Sequence, residues 1–273
     1  MNRAAQPIGV FDSGIGGLSV LQALRAELPH ERFVYLADSG NAPYGDARGD
    51  AFVSARTHAI TQHLREQHHI KALVVACNTA TAAAIHEVRS SQPDLPLVGL
   101  EPALKPAAAL SKTGRIGVIG TRGTLTSEKF SRLLASLAGQ AEFIVQPCDG
   151  LARAIEESTA RPLPTDPFAT ETRALCARYI SAMGTFGTET GQIDTLVLGC
   201  THYQLARQHL LASLAGRAVT LVDAADAVAS HARTRLAEAG LARPAVDRAP
   251  GAVRLCASGA DAALHAAAAR WLP

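Results

Sequence analysis

Apolar runs of four or five residues recur along the chain, separated by longer stretches whose apolar positions fall three and four apart. The first pattern belongs to strands buried on both faces, the second to amphipathic helices. Strands are predicted at 7–12, 33–37, 73–76, 97–100, 115–119, 142–146, 196–199 and 219–223. Helices are predicted from Leu18 and over about 51–68, 81–90, 168–183 and 224–239, and a run at 255–258 with an Ala-rich helix closes the chain. Strands alternating with helices imply parallel sheets and an α/β fold. Loops are expected at 161–167 and 240–251, where Pro, Gly and Ala cluster.

Two of the apolar runs match each other. Leu73-Val-Val-Ala-Cys-Asn-Thr-Ala80 and Leu196-Val-Leu-Gly-Cys-Thr-His-Tyr203 both end in a small residue, a cysteine and small polar residues. Further upstream, Ile8-Gly-Val-Phe-Asp-Ser-Gly14 has a counterpart in Ile116-Gly-Val-Ile-Gly-Thr-Arg122. A duplication of this kind predicts two similar three-layer lobes with mostly parallel sheets, related by a pseudo-two-fold axis. Ligands in open α/β sheets gather at the carboxyl ends of strands. Cys77 and Cys200 are therefore expected on opposite walls of one cleft between the lobes.

The composition narrows the function classes. Of 273 residues 48% are hydrophobic, enough for a sizeable core, and 26 basic against 24 acidic residues leave a net charge of +2. That balance points away from nucleic acid and acidic membrane surfaces. No long uncharged apolar stretch predicts a membrane span, and Met1–Pro7 lacks a basic-then-apolar signal pattern. Five cysteines without a CxxC predict neither a disulfide framework nor a zinc site. A soluble protein of a reducing cytoplasm is the expectation.

Single residues read two ways at this level. Asp12, before the turn Ser-Gly-Ile-Gly-Gly17, is either a helix cap or a chemical group. The turn itself lacks the GxGxxG frame yet offers backbone donors to an anion such as a carboxylate. Pro43-Tyr44-Gly45 is an ordinary turn or a rigid piece of a site. His58, His63, His68 and His69 follow no metal-ligand spacing and read as solvated or packing side chains, and Cys148, Cys176 and Cys256 as small buried hydrophobes. Two thiols facing one another would suit a redox disulfide, a metal pair, or two-base proton transfer at one carbon. In the last case each thiol needs a proton-managing partner; Asp12 for Cys77 and His202 for Cys200 are the nearest candidates.

Taken together, Asp12-Ser-Gly-Ile-Gly-Gly17, Pro43-Tyr-Gly45, Ala76-Cys-Asn-Thr-Ala80, Gly99-Leu-Glu-Pro-Ala-Leu-Lys-Pro106 and Gly199-Cys-Thr-His-Tyr203 resemble the bacterial glutamate racemases of the aspartate/glutamate racemase superfamily. The resemblance implies two α/β lobes, a discontinuous first one of 1–100 plus 208–273 and a second of 101–207, with the site between them; the prolines at 102 and 106 independently predict a hinge over Glu101–Pro106. It implies a cofactor-independent isomerase that makes D-glutamate for peptidoglycan, working as a homodimer with no metal. Cys77 would deprotonate the D-isomer and Cys200 the L-isomer, assisted by Asp12, His202 and Glu156. Substrate would be held by Asp12, Ser13, Pro43, Tyr44, Gly45, Asn78, Thr79, Thr121, Thr201 and His202. The chain departs from the pattern at Gln204, where many relatives have proline, and at Ser39-Gly-Asn-Ala42, where an arginine-containing version is common.

Overall fold

The computed structural model describes residues 3–45, 48–159, 167–243 and 251–272. Most of the loops expected at 161–167 and 240–251 lies outside the described residues. Among the described residues nine strands form two sheets. The first contains β1 (Ile8–Asp12), β2 (Phe33–Ala37), β3 (Ala72–Val75), β4 (Leu97–Gly99) and β9 (Val253–Ala257), in the order β4-β3-β1-β2-β9. The second contains β5 (Arg115–Gly120), β6 (Glu142–Pro147), β7 (Thr195–Gly199) and β8 (Thr220–Val222), in the order β6-β5-β7-β8. Every ladder is parallel, as helical crossovers require.

The duplication is visible in the topology. Reading β5 to β8 as the counterparts of β1 to β4, both sheets carry one strand order, fourth-third-first-second, and β9 is an added edge strand. In each, the crossovers leave the first strand on opposite sides, so the crevice between first and third strand is a topological switch point. Asp12 and Cys77 flank that crevice in one lobe, Thr121 and Cys200 in the other.

This equivalence corrects the boundary expected at 207/208. A first lobe resuming at 208 would contain β8, but β8 pairs with β7 through Thr195↔Thr220 and Val197↔Val222. The helix before it, α10 (Arg207–Ser213), packs on α8 (Pro167–Ala182) of the second lobe. The chain returns to the first lobe with α11 (Ala225–Glu238), which packs on α1 (Leu18–Glu27). We therefore propose a second lobe of 101–222. The hinge expectation is also shortened: Lys105 and Pro106 lie inside α4 (Leu104–Leu110). Proline is tolerated there because first-turn N–H groups have no intrahelical acceptor.

The inner strands β1, β2, β3 and β7 are buried on both faces because helices cover both, while β6, β8 and β9 at the sheet edges are only partly covered. Ile8 and Val10 turn to the side of α1, α11 and α12 (Asp261–Trp271), while Phe11 turns to that of α2 (Asp50–His68) and α3 (Asn78–Ser91). The second sheet divides likewise. Ile119, Leu196 and Leu198 face a core shared with α7 (Leu151–Thr159) and α8, while Ile116, Val118 and Val197 face α4 and α6 (Glu128–Ala135). Period-two alternation thus feeds two cores per sheet. No helix among the described residues is long and apolar enough to cross a membrane.

Candidate active site

Cys77 and Cys200 each follow the carboxyl end of a third strand, 5% and 7% exposed. Each is the N-cap of the next helix, α3 and α9 (Thr201–Leu205) respectively. The backbone N–H of Ala80 donates to Cys77 Sγ at 3.5 Å, and Ser13 Oγ lies 3.8 Å from the same sulfur. Burial pushes the Cys77 thiol well above its ordinary range. The Asp12 charge adds to the push, and Cys200 contributes from across the cleft.

Each thiol has an ionisable neighbour, drawn from non-equivalent positions of the duplicated fold. On the first side it is Asp12, the last residue of β1, whose counterpart in β5 is Gly120. On the second it is His202, two residues past Cys200, whose counterpart is Thr79. Asp12 is fully buried. Its Oδ2 accepts from the Gly17 backbone at 2.8 Å, and Oδ1 is buried without a partner. Burial raises its pKa from 3.8 to about 6, against the lowering pull of His202 and the Gly17 N–H. Asp12 thus closes the glycine turn and is a buried group that titrates near neutrality.

His202 Nδ1 lies 3.8 Å from Cys200 Sγ, and its Nε2 is 2.5 Å from Glu156 Oε2. Burial pulls its pKa down. Hydrogen bonding to Cys200 and Glu156 and their charges outweigh that and hold it well above the ordinary value. The imidazole therefore holds a proton beside the second thiol more tightly than a free histidine does. Glu156 meets His202, not the thiol, so it acts one link further out than its grouping with the catalytic residues implies. It also accepts the Ile15 N–H at 3.0 Å, bridging from α7 to the glycine turn of the other lobe.

The lobes meet closely over these groups. Thr79 Oγ1 is 3.0 Å from Thr121 Oγ1, and Thr124 completes a hydroxyl cluster at 3.3 and 3.0 Å from the two. Gly123 N–H donates to Gly45 O at 3.4 Å. Pro43, after a cis peptide bond, leads into buried Tyr44. Asn78 and Thr201 open α3 and α9 and line a pocket with Cys200 and Gln204. Ser13 beside Cys77, Gly45 against Thr121, and Asn78 and Thr201 beside Cys200 lie around this junction. Thr124 and Gly14 were not foreseen. The Thr-x-x-Thr spacing of 121 and 124 is the only local sign of the first; Thr121 Oγ1 accepts the Thr124 N–H as a helix cap.

Gly14 makes room for the Glu156 carboxylate. A methyl there would sit 2.3 Å from Glu156 Oε2, without backbone strain to confuse the effect. Gly14→Ala is expected to push Glu156 off Ile15 and His202 and to lower kcat/KM at least about tenfold with unchanged far-ultraviolet dichroism. Steady-state kinetics beside circular dichroism check this; wild-type kcat/KM would refute the bridge.

The Asp/Glu/hydantoin racemase family profile matches residues 17–232. The chain belongs to that family. It is accordingly an isomerase of the racemase class. Its relatives include the glutamate racemase of Ectopseudomonas mendocina, 45% identical over 238 residues, covering 87% of this chain and 85% of that protein. Among solved structures, a glutamate racemase isoform of Bacillus anthracis superposes with a TM-score of 0.81 at 31% identity, covering 98% of this chain and 94% of that one. The Escherichia coli glutamate racemase, solved with L-glutamate and the activator UDP-MurNAc-Ala, superposes with a TM-score of 0.74 at 27% identity, over 92% and 98% of the two chains.

Proposed function

We propose that this racemase interconverts L- and D-glutamate by proton transfer between two cysteines, without a cofactor. The observation that carries the reading is the pair of buried thiols at equivalent strand ends, each with one ionisable neighbour of its own. Glutamate as substrate is supported by the names of the relatives and by the L-glutamate bound in the Escherichia coli enzyme.

In the L-to-D direction the Cys200 thiolate, beside the protonated His202, takes the α-proton from one face. The Cys77 thiol, held in its protonated form by burial and Asp12, delivers its own proton to the other face. In reverse, Asp12 accepts the Cys77 proton, and the resulting thiolate attacks the D-isomer. Glu156 holds the His202 ring. The substrate carboxylates would rest on Ser13, Asn78, Thr79, Thr121, Thr201 and backbone N–H groups beside Tyr44 and Gly45. We further propose that the D-glutamate supplies peptidoglycan synthesis in the cytoplasm and that the enzyme works as a homodimer.

The test is L-glutamate with purified protein in deuterated water, no cofactor added, following optical rotation and α-carbon deuterium together. Rotation is expected to decay to zero while deuterium enters the product. Decay with aspartate but not glutamate would move the substrate and keep the mechanism. Silence on both, with Cys77 and Cys200 isolated as a disulfide, would replace the reading with a thiol redox function.

A further inference from the structure

We propose that Arg56 is a positioning residue for racemisation: from α2 it fixes, through Asp38, the Tyr44–Gly45 segment that forms one wall of the substrate site. The proposal rests on the reading of the cleft given above and extends it to a residue outside it.

Asp38 follows β2 and is fully buried. Its backbone N–H donates to Asp12 O at 2.9 Å, which locks it beside the carboxyl end of β1. The loop it begins, Asp38-Ser-Gly-Asn-Ala-Pro-Tyr-Gly45, carries no cation. A buried carboxylate there needs one, because removal from water disfavours the charged form. Arg56 supplies it. Its Nε donates to Oδ2 at 2.9 Å and its Nη2 to Oδ1 at 2.8 Å, a two-pronged fork that a lysine cannot reproduce.

The same carboxylate then organises the loop. Tyr44 OH donates to Asp38 Oδ2 at 2.5 Å, and Asn41 Nδ2 donates to Oδ1 at 3.1 Å. The Tyr44 ring is 2% exposed, packed between Phe11 and Phe52 with centroids 6.2 and 6.3 Å away, in the apolar cluster that also holds Cys77. Gly45, next in the chain, has no room for a side chain: a methyl would lie 2.4 Å from Thr121 Cβ. Its carbonyl accepts the Gly123 N–H of the other lobe. The relay therefore runs from a half-exposed guanidinium, through a buried carboxylate and a phenol, to backbone that closes on the hydroxyl cluster of Thr79, Thr121 and Thr124.

Burial works to raise the Asp38 pKa, but the fork from Arg56 and the hydrogen bonds of Ser258, Tyr44 and Asn41 hold it below the ordinary value. Without Arg56 only neutral donors remain. The carboxylate then takes up a proton more readily, and the Tyr44 hydroxyl loses its charged acceptor.

Arg56 touches neither thiol, so its loss is expected in binding more than in chemistry. Arg56→Gln should raise the KM for L- and D-glutamate alike by about tenfold, with kcat within about threefold of wild type, because a misplaced wall weakens ground and transition states together. Arg56→Lys, which keeps the charge without the fork, should recover part of the loss. The melting temperature of both variants is recorded alongside, since a purely structural role would lower it, and kcat through loss of folded enzyme, without moving KM. Wild-type KM in Arg56→Gln overturns the proposal whatever its kcat; so does an Arg56→Lys enzyme no better than Arg56→Gln. If the unaltered protein racemises aspartate instead, the glutamate reading fails and the same KM comparison, made with aspartate, still decides the role of Arg56.

Discussion

Cys77→Ser is expected to lower racemisation of glutamate by about 10²–10⁴-fold in both directions at once. The equality is imposed by thermodynamics. L- and D-glutamate have equal free energy in water, so the two values of kcat/KM must stay equal in every variant. Asymmetry between the thiols must therefore be sought in half-reactions. A glutamate analogue with a leaving group on the β-carbon needs only one proton removed, after which the leaving group departs with the electron pair. In Cys77→Ser the intact Cys200–His202 pair should still eliminate from the L-analogue, while the D-analogue stays inert. Cys200→Ser should reverse this preference. Serine keeps the shape of cysteine but is a much weaker acid, so the variant tests the proton and not the packing. Elimination from both enantiomers at wild-type rates in either variant would end the two-base assignment.

Asp12→Asn is expected to trade activity for stability. Burial lifts the Asp12 pKa from 3.8 to about 6. The folded protein thus binds this proton more tightly than the unfolded chain does. The corresponding stability is complete below pH 3.8 and is lost as the pH rises through about 6. By pH 8 the buried carboxylate weakens the fold by about 3 kcal/mol relative to its protonated form. Asparagine keeps an oxygen for the Gly17 N–H and carries no charge. At pH 8 the variant should unfold at a higher temperature than wild type, by roughly 2–4 °C for each kcal/mol recovered, and the gap should close at pH 4. Its kcat for D-glutamate should fall about 10²-fold or more, because Cys77 loses its proton acceptor. The wild-type fall in kcat/KM as pH drops through about 6 should disappear. Calorimetry at the two pH values and a pH–rate profile test both halves. A variant less stable than wild type at pH 8 would mean that His202 and the Gly17 N–H more than offset the burial of the Asp12 charge.

Both effects come from placing groups out of water at a strand end, and that placement was legible in the chain. The apolar runs before Cys77 and Cys200, with no polar residue to face solvent, already require strands covered on both sides. Their shared Cys-polar-polar endings indicate duplication, and duplication indicates opposed walls. The candidate partners Asp12 and His202 followed from proximity along the chain or between neighbouring strands. The lobe membership of β8 was not: no local pattern announces it, and only the pairing of β8 with β7 places it in the second sheet.

Tertiary structure alone decided how the two lobes meet. Glu156 bonds Ile15, 141 positions away, and whether it would reach the thiol or the imidazole depended on where α7 lies against the glycine turn. Thr124 joined Thr79 and Thr121 because a helix start in one lobe abuts a strand end in the other. Arg56 reached Asp38 from the next helix, 18 positions on, because α2 packs back over the end of β2. Hydrophobic periodicity reports how deeply each residue is buried and in which local conformation. It carries no information on which buried polar group will find which partner, since that choice is made by the packing of whole elements.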